Sequence, residues 1–414
     1  MKPPPIIDPA ADPFGPKSAI ALAYDIQQFA AMKIFMAAGI FALSLTVGVQ
    51  AQSTEGGGTV VGGGTPAQGG PPISQRVYQG MANNIQVNER SAYVEPESKT
   101  PPYYPKQLRD AGIKGTVLVE VEVDRDNSVR NPRVIKSDHP ELNMLAIETV
   151  LNWKYACAVV NGAMARSRIE VEVVFDPAAA EAERKVRLAK LRGKPSKELP
   201  ELYQYDEAPD LVRKCPAVYP YDLLMKGKTG SATVSFIVDP TGNARGAEVK
   251  KASNPEFGAA TAAMVEAWTF EPAMKDGKPC WALLTLEQKF NRISADAPID
   301  EATGELVDDI KADRVKIYGF SEIDEKPRPI YQVGPELPEA LRKSGKGATA
   351  QIEFIIDHHG RVKLPRIISS NEEAFGWAAA TAVSRWVFSP AVKDGQPAYV
   401  RVRVPIAYEP PKKK

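Results

Sequence analysis

The sequence predicts an α+β protein built as three tandem copies of one small domain. Each copy runs α-β-β-α-β, with a three-stranded antiparallel sheet and two helices on one face. Two observations lead there. A ten-residue stretch is spelled three times, as WKYACAVVNG from Trp153, WTFEPAMKDG from Trp268 and WVFSPAVKDG from Trp386. Other residues recur around it at fixed distances. Pro105, Pro220 and Pro338 lie 48 residues before their tryptophan, Asp124, Asp239 and Asp357 lie 29 before it, and Gly162, Gly277 and Gly395 lie 9 after it. Such a ruler marks a repeated structural unit.

Each element follows from local pattern. Tyr103–Gly112 reads as a short helix that starts at proline and stops at glycine. Val117, Val119, Val121 and Val123 then alternate with Glu120 and Glu122, as a strand with one buried face requires. Copy two places Val234, Phe236 and Val238 there, and copy three Ile352, Phe354 and Ile356. The stretches DRDN, DPTG and DHHG supply a turn, with Asn127, Gly242 or Gly360 where φ must be positive. A second strand follows, VRNPRVIKS in copy one. Leu142, Leu145, Ile147 and Val150 then recur at helical spacing, as do Phe375, Ala379 and Val383, so a helix lays one face on the sheet. The tryptophan and the aromatic two residues later fill the core. Pro272 and Pro390 are expected to stop that helix, and Asp-Gly to turn the chain. A last strand closes each unit: SRIEVEVVF, WALLTLEQKF and YVRVRVPIAY. Copy one carries Cys157 for the proline and Asn161 for the aspartate, so it is expected to be the most diverged.

The flanks divide as follows. Residues 1–31 show no compelling element and read as a start-site artefact or disorder. Residues 32–51 hold Lys33, a 16-residue apolar run from Ile34 to Val49, and small residues at Val49 and Ala51. That is the pattern of a secretory signal peptide, and a helix of that length, about 24 Å, falls short of a bilayer core. The alternative is an uncleaved membrane anchor. Residues 52–84 are a Gly/Pro-rich tether. The three domains are placed at 85–176, 203–291 and 315–410. A charged helical linker is placed at 177–202 and a loosely ordered acidic linker at 292–314.

Lysine plus arginine number 52 against 51 aspartate plus glutamate, which gives no electrostatic reason to expect nucleic acid. With three histidines and three cysteines, catalysts and metal ligands are scarce. His358-His359 sits at a strand turn without neighbouring ligands at metal spacing and reads as a solvated turn. His139 reads as a helix cap. The recurring Asp124, Asp239 and Asp357 read as turn residues that hydrogen-bond the local backbone. No nucleophile with a base, no phosphate-cradling loop and no metalloprotease motif is found, so no catalytic residue, metal or cofactor is assigned. Cys215 and Cys280 fall in one small domain, and an oxidising compartment would favour a bridge between them. Two small buried thiols are the alternative. Cys157 reads as buried and inert.

The order YP…G-x-V…D-x-x-G…W-x-F-x-P-A-x-x-D-G resembles the C-terminal domain of TonB-type energy transducers. Tyr104-Pro105 and Tyr219-Pro220 match its first-helix motif, where copy three has Leu337-Pro338. Trp153, Trp268 and Trp386, Pro272 and Pro390, and Gly277 and Gly395 match its helix-exit motif. The resemblance implies binding without catalysis: such domains lie in the periplasm and take a short extended peptide from an outer-membrane receptor onto a sheet edge. By that analogy the surfaces are Ser167–Phe175, Trp281–Phe290 and Tyr399–Tyr408. The third is the preferred one, with Tyr399, Arg401 and Arg403 on the outer face and Val400 and Val402 inward. The anchor of such transducers carries a histidine and a long proline spacer follows it; the run Ile34–Val49 has neither. A secreted periplasmic binder of envelope or outer-membrane proteins is therefore the leading expectation. The alternatives are an inner-membrane-anchored transducer engaging motor proteins, and an accessory to an envelope enzyme.

Overall fold

The computed structural model describes residues 90–180, 199–292 and 297–410. The artefact, signal-peptide and tether assignments, and most of the first linker, lie outside them. In each copy a central strand is flanked by two antiparallel neighbours. The central strands are Gly115–Val123, Gly230–Val238 and Ala348–Ile356. On one side stand Val129–Ser137, Ala244–Ala252 and Val362–Ser370; on the other stand the last strands Ser167–Phe175, Ala282–Phe290 and Val400–Tyr408.

The alternating valines do what their period demands: Val117, Val119, Val121 and Val123 are buried, as are Val234, Phe236 and Val238, and Ile352, Phe354 and Ile356. They face the long helices Asn143–Asn152, Pro255–Glu266 and Glu373–Val383. The short helices Lys106–Asp110, Tyr221–Met225 and Glu339–Ser344 begin directly after the recurring Pro105, Pro220 and Pro338.

The Tyr-Pro pair has a definite task. The Tyr219 hydroxyl donates to the Lys228 carbonyl at 2.6 Å, and Tyr104 donates likewise to Ile113, so each clamps the chain that leaves the short helix. The same rings stand edge-on to the closing aromatics Phe290 and Phe175, at 5.4 Å in each copy. The three tryptophans are fixed identically. Each indole N–H donates to a carbonyl 53 residues upstream: Trp153 to Thr100, Trp268 to Cys215 and Trp386 to Val333, at 2.8 to 2.9 Å.

Two details depart from the sequence reading. The long helices end at Asn152, Glu266 and Val383, ahead of the tryptophans, so Pro272 and Pro390 do not stop them. The exit is itself a strand. Tyr155–Ala156, Thr269–Glu271 and Val387–Phe388 pair with lead strands Tyr93–Val94, Asp210–Arg213 and Pro329–Tyr331, and the prolines stand after that pairing. A small hairpin follows, with Asn161-Gly162, Asp276-Gly277 and Asp394-Gly395 at its tip, all at positive φ. Both central residues of a type I′ turn need that geometry, and Asn-Gly serves as well as Asp-Gly. The second departure is the acidic linker. Residues Glu301–Lys311 form a helix, capped where Asp300 accepts from the Thr303 amide at 2.8 Å. Its Leu306 and Val307 are fully buried, each worth about 1.5–3 kcal/mol of apolar transfer.

The copies also dock on one another. Glu148, on the long helix of copy one, receives Arg213 of copy two at 2.8 Å through both guanidinium nitrogens, and Arg385 of copy three at 3.1 Å. Arg213 also donates to the Tyr331 hydroxyl of copy three. Burial alone would raise the Glu148 carboxyl; the two guanidiniums outweigh it and hold it below the usual carboxylate range. The long helices of copies two and three pack against each other.

Candidate functional site: the sheet edges

A sheet edge carries a row of unpaired N–H and C=O groups, and the last strand stands at the edge in copies one and two. Among the described residues no strand pairs with the outer side of Ser167–Phe175 or of Ala282–Phe290. In copy one Val171, Val173 and Phe175 point into the core while Arg168, Glu170, Glu172 and Val174 face solvent. In copy two the whole nine-residue strand is zipped on its inner side to Gly230–Val238 without a register break. Both edges are backed by an unbroken register on their inner side.

Copy three differs, and there the preferred surface is corrected. Its inward and outward residues alternate as expected: Val400, Val402 and Val404 are buried, and Arg401 and Arg403 exposed. However, the start of its edge, at Val400 and Arg401, is already occupied. Tyr318–Gly319 runs parallel to the last strand, with Tyr318 opposite Val400 and Gly319 opposite Arg401, and the Tyr318 amide donates to the Tyr399 carbonyl at 2.9 Å. The two arginines are engaged as well. Arg403 reaches Glu353 on the central strand at 2.7 Å, and Arg401 lies 3.8 Å from it. Tyr399 packs against the His358 ring, 4.1 Å between centroids, and its burial raises the hydroxyl pKa. Sequence reasoning missed Tyr318 and Gly319 because a two-residue strand carries no period.

The remaining chemical candidates resolve into structure. His359 is not a solvated turn residue: its Nε2 lies 3.1 Å from Asp126 and its Nδ1 2.9 Å from the Ser128 hydroxyl, both in copy one. His358 is half-buried, and that burial lowers its pKa. Asp124, Asp126 and His359 converge, but the donor set does not suit a cation. Burial would raise the Asp124 carboxyl, yet the Arg125 amide and the Arg166 and Arg130 guanidiniums outweigh it, lower its pKa and take up its charge. Asp239 and Asp357 accept from turn amides, at 2.9 to 3.0 Å from Thr241 and Asn243 and 2.8 to 2.9 Å from His359 and Arg361. His139 caps through its backbone carbonyl, which accepts from Leu142, and not through its ring.

Cys215 and Cys280 are separate thiols, which corrects the bridge. Cys215 is buried with Sγ 3.9 Å from the Met264 carbonyl on the long helix; Cys280 sits on the hairpin, its Sγ 4.0 Å from the Gln204 carbonyl. Each thiol thus has its own carbonyl partner. Burial pushes the Cys215 thiol up to about 11.

Among the described residues no helix is long and apolar enough to cross a membrane. Comparison with known proteins finds the same threefold repeat. The family model described as "Gram-negative bacterial TonB protein C-terminal" matches residues 100–177, 216–291 and 333–410, together more than half of the chain. The Protein TonB of Xanthomonas campestris pv. campestris (strain B100) is 34% identical over 86 residues, 20% of this chain and 39% of the relative. The Protein TonB of Vibrio cholerae serotype O1 is 35% identical over 79 residues, 19% of this chain and 32% of the relative. The chain thus matches only about a third to two-fifths of the length of these curated relatives. Three full matches at the spacing of the three sheets leave one assignment: the chain belongs to the family of TonB C-terminal domains, which it carries in tandem triplicate.

Proposed function

We propose that this chain is a non-enzymatic binding protein of the bacterial envelope that takes extended segments of outer-membrane receptor proteins onto its open sheet edges. The observation that carries the reading is the pair of nine-residue edges, Ser167–Phe175 and Ala282–Phe290, along whose outer side no strand pairs among the described residues. A partner strand would satisfy their backbone groups, and the alternating outward side chains would select among partners. The charged outer row of copy one, Arg168, Glu170 and Glu172, also keeps that edge from pairing indiscriminately.

Adding extended peptides from receptor N-termini to the isotopically labelled protein tests this directly. Amide shifts should concentrate in Ser167–Phe175 and Ala282–Phe290. Perturbations confined to other strands, or none at saturating peptide, would rule the reading out.

The TonB relatives favour a second reading, in which residues 32–51 remain as an anchor and the protein transduces energy from inner-membrane motor proteins. N-terminal sequencing of the mature protein separates the two: a start at Gln52 excludes the anchored form.

A further inference from the structure

Residues 297–320 lie outside every family match, between the ends of copies two and three, yet they are woven into copy three at three places. The helix cap Asp300 reaches Lys363 at 2.7 Å. Lys363 is paired with Ile355 of the central strand, and Ile355 is paired on its other side with Arg401. Gly319, at the other end of the segment, is in turn paired with Arg401. Both ends of the segment therefore land on one row of the sheet. Ile355 points away from the long helix, between the inward Phe354 and Ile356, and would stand in solvent on a bare sheet. It is 3% exposed. Along the segment Ile299, Leu306, Val307, Ile310, Ile317 and Phe320 all join the apolar core. Copies one and two have no counterpart among the described residues: their last strands end the sheet.

We propose that residues 297–320 are a built-in strap that covers the start of the recognition edge of copy three, at Val400 and Arg401, so that this end of the edge is closed at rest, while the last strands of copies one and two carry no such strap among the described residues. This deepens the reading above and rests on it for its functional meaning. A partner strand can pair along the full edge of copy three only by displacing Tyr318–Gly319, a segment held at the high effective concentration of its own chain. The three copies, near-identical in framework, are thereby made unequal: a partner running the length of the last strand meets no strap in copies one and two and must outcompete one in copy three.

Hydrogen exchange of the whole chain, read by mass spectrometry over residues 399–404, tests the strap. Tyr318→Pro removes the amide that donates to Tyr399. It should speed exchange there about five- to tenfold, while the already open segment 282–290 stays unchanged and reports that the fold is intact. A synthetic peptide with the sequence of residues 313–322, added in excess, should restore protection at 399–404 in the variant and leave the wild type unaltered. Equal exchange at 399–404 in variant and wild type overturns the proposal, as does a parallel rise at 282–290, or equal protection of both proteins by the peptide. These outcomes are independent of the receptor-peptide experiment: a strap that opens as expected, in a protein whose edges take no receptor peptide, retains the strap and removes the receptor reading.

Discussion

The backbone N–H of Cys157 donates to the side-chain oxygen of Asn127 at 2.8 Å, across the 30 residues between turn and exit strand. In the other copies the matching pairs are Gly242 with Pro272 and Gly360 with Pro390. There the glycine carbonyl accepts from Phe270 or Phe388 at 2.8 Å, so close an approach that a Cβ on Gly242 or Gly360 would fall within 2 Å of the phenylalanine carbonyl oxygen. Proline offers no donor and the glycine no side chain; cysteine offers a donor and asparagine an acceptor. The two changes in copy one compensate each other.

That compensation is measurable. Cys157→Pro alone should cost about 1–3 kcal/mol in chemical denaturation, because it leaves the Asn127 oxygen without its donor. Gly242→Asn should cost at least as much through the carbonyl clash at positive φ. Gly242→Asn combined with Pro272→Cys should recover part of that loss, and strict additivity would show the pair to be uncoupled.

Glu148 joins all three copies, so its loss should be felt beyond copy one. Glu148→Ala strands the guanidiniums of Arg213 and Arg385, whose side chains are only 22% and 14% exposed. A cost of about 3 kcal/mol is expected. The docking should loosen with it, so that one cooperative thermal transition broadens or splits. A single sharp transition at the wild-type temperature would show the node to be inert.

Glu266 gives the fold a pH dependence. It lines a small cleft between copies two and three with Leu337, Glu339 and Arg342, and burial pushes its carboxyl up to about 7 although the Ala247 amide donates to it at 3.1 Å. The folded value lies above the unfolded one, so the folded state keeps the proton where the unfolded chain has lost it. Stability from this group is intact below about pH 4.5 and falls as the pH climbs towards 7. Glu266→Gln should therefore stabilise the protein by about 1 kcal/mol at pH 8, after discounting for its partial exposure, and by little at pH 4.5. Equal effects at both values would dissociate Glu266 from the pH dependence.

Thiol labelling checks the cysteines. Cys157 and Cys215 are buried and Cys280 is half-buried. Native protein should take up one alkylating group at Cys280, slowly because burial raises its thiol pKa, and unfolded protein three without prior reduction. Fewer than three labels on unfolded, unreduced protein would restore the bridge.

Much of this was legible in the sequence for a physical reason. Val117 to Val123 could alternate only as a half-buried strand, the tryptophans could recur on a fixed ruler only if one fold recurred, and Asn161-Gly162 turns a hairpin as readily as Asp394-Gly395. Those are local constraints, and one residue's neighbours suffice to read them. The helix exit is not legible in this way: Pro272 looks like a stop, whereas Phe270 is held by a lead strand about sixty residues earlier.

The repeated unit, its strands and helices, its core faces and its family resemblance can all be read from the chain of residues alone. Long-range packing settles the rest: which last strands end their sheets and which is flanked by Tyr318–Gly319, how the copies dock through Glu148, and that Cys215 and Cys280 are separate thiols. Periodicity records which face of an element meets a core. It carries no information about which distant segment, such as Tyr318–Gly319, satisfies the backbone along an edge.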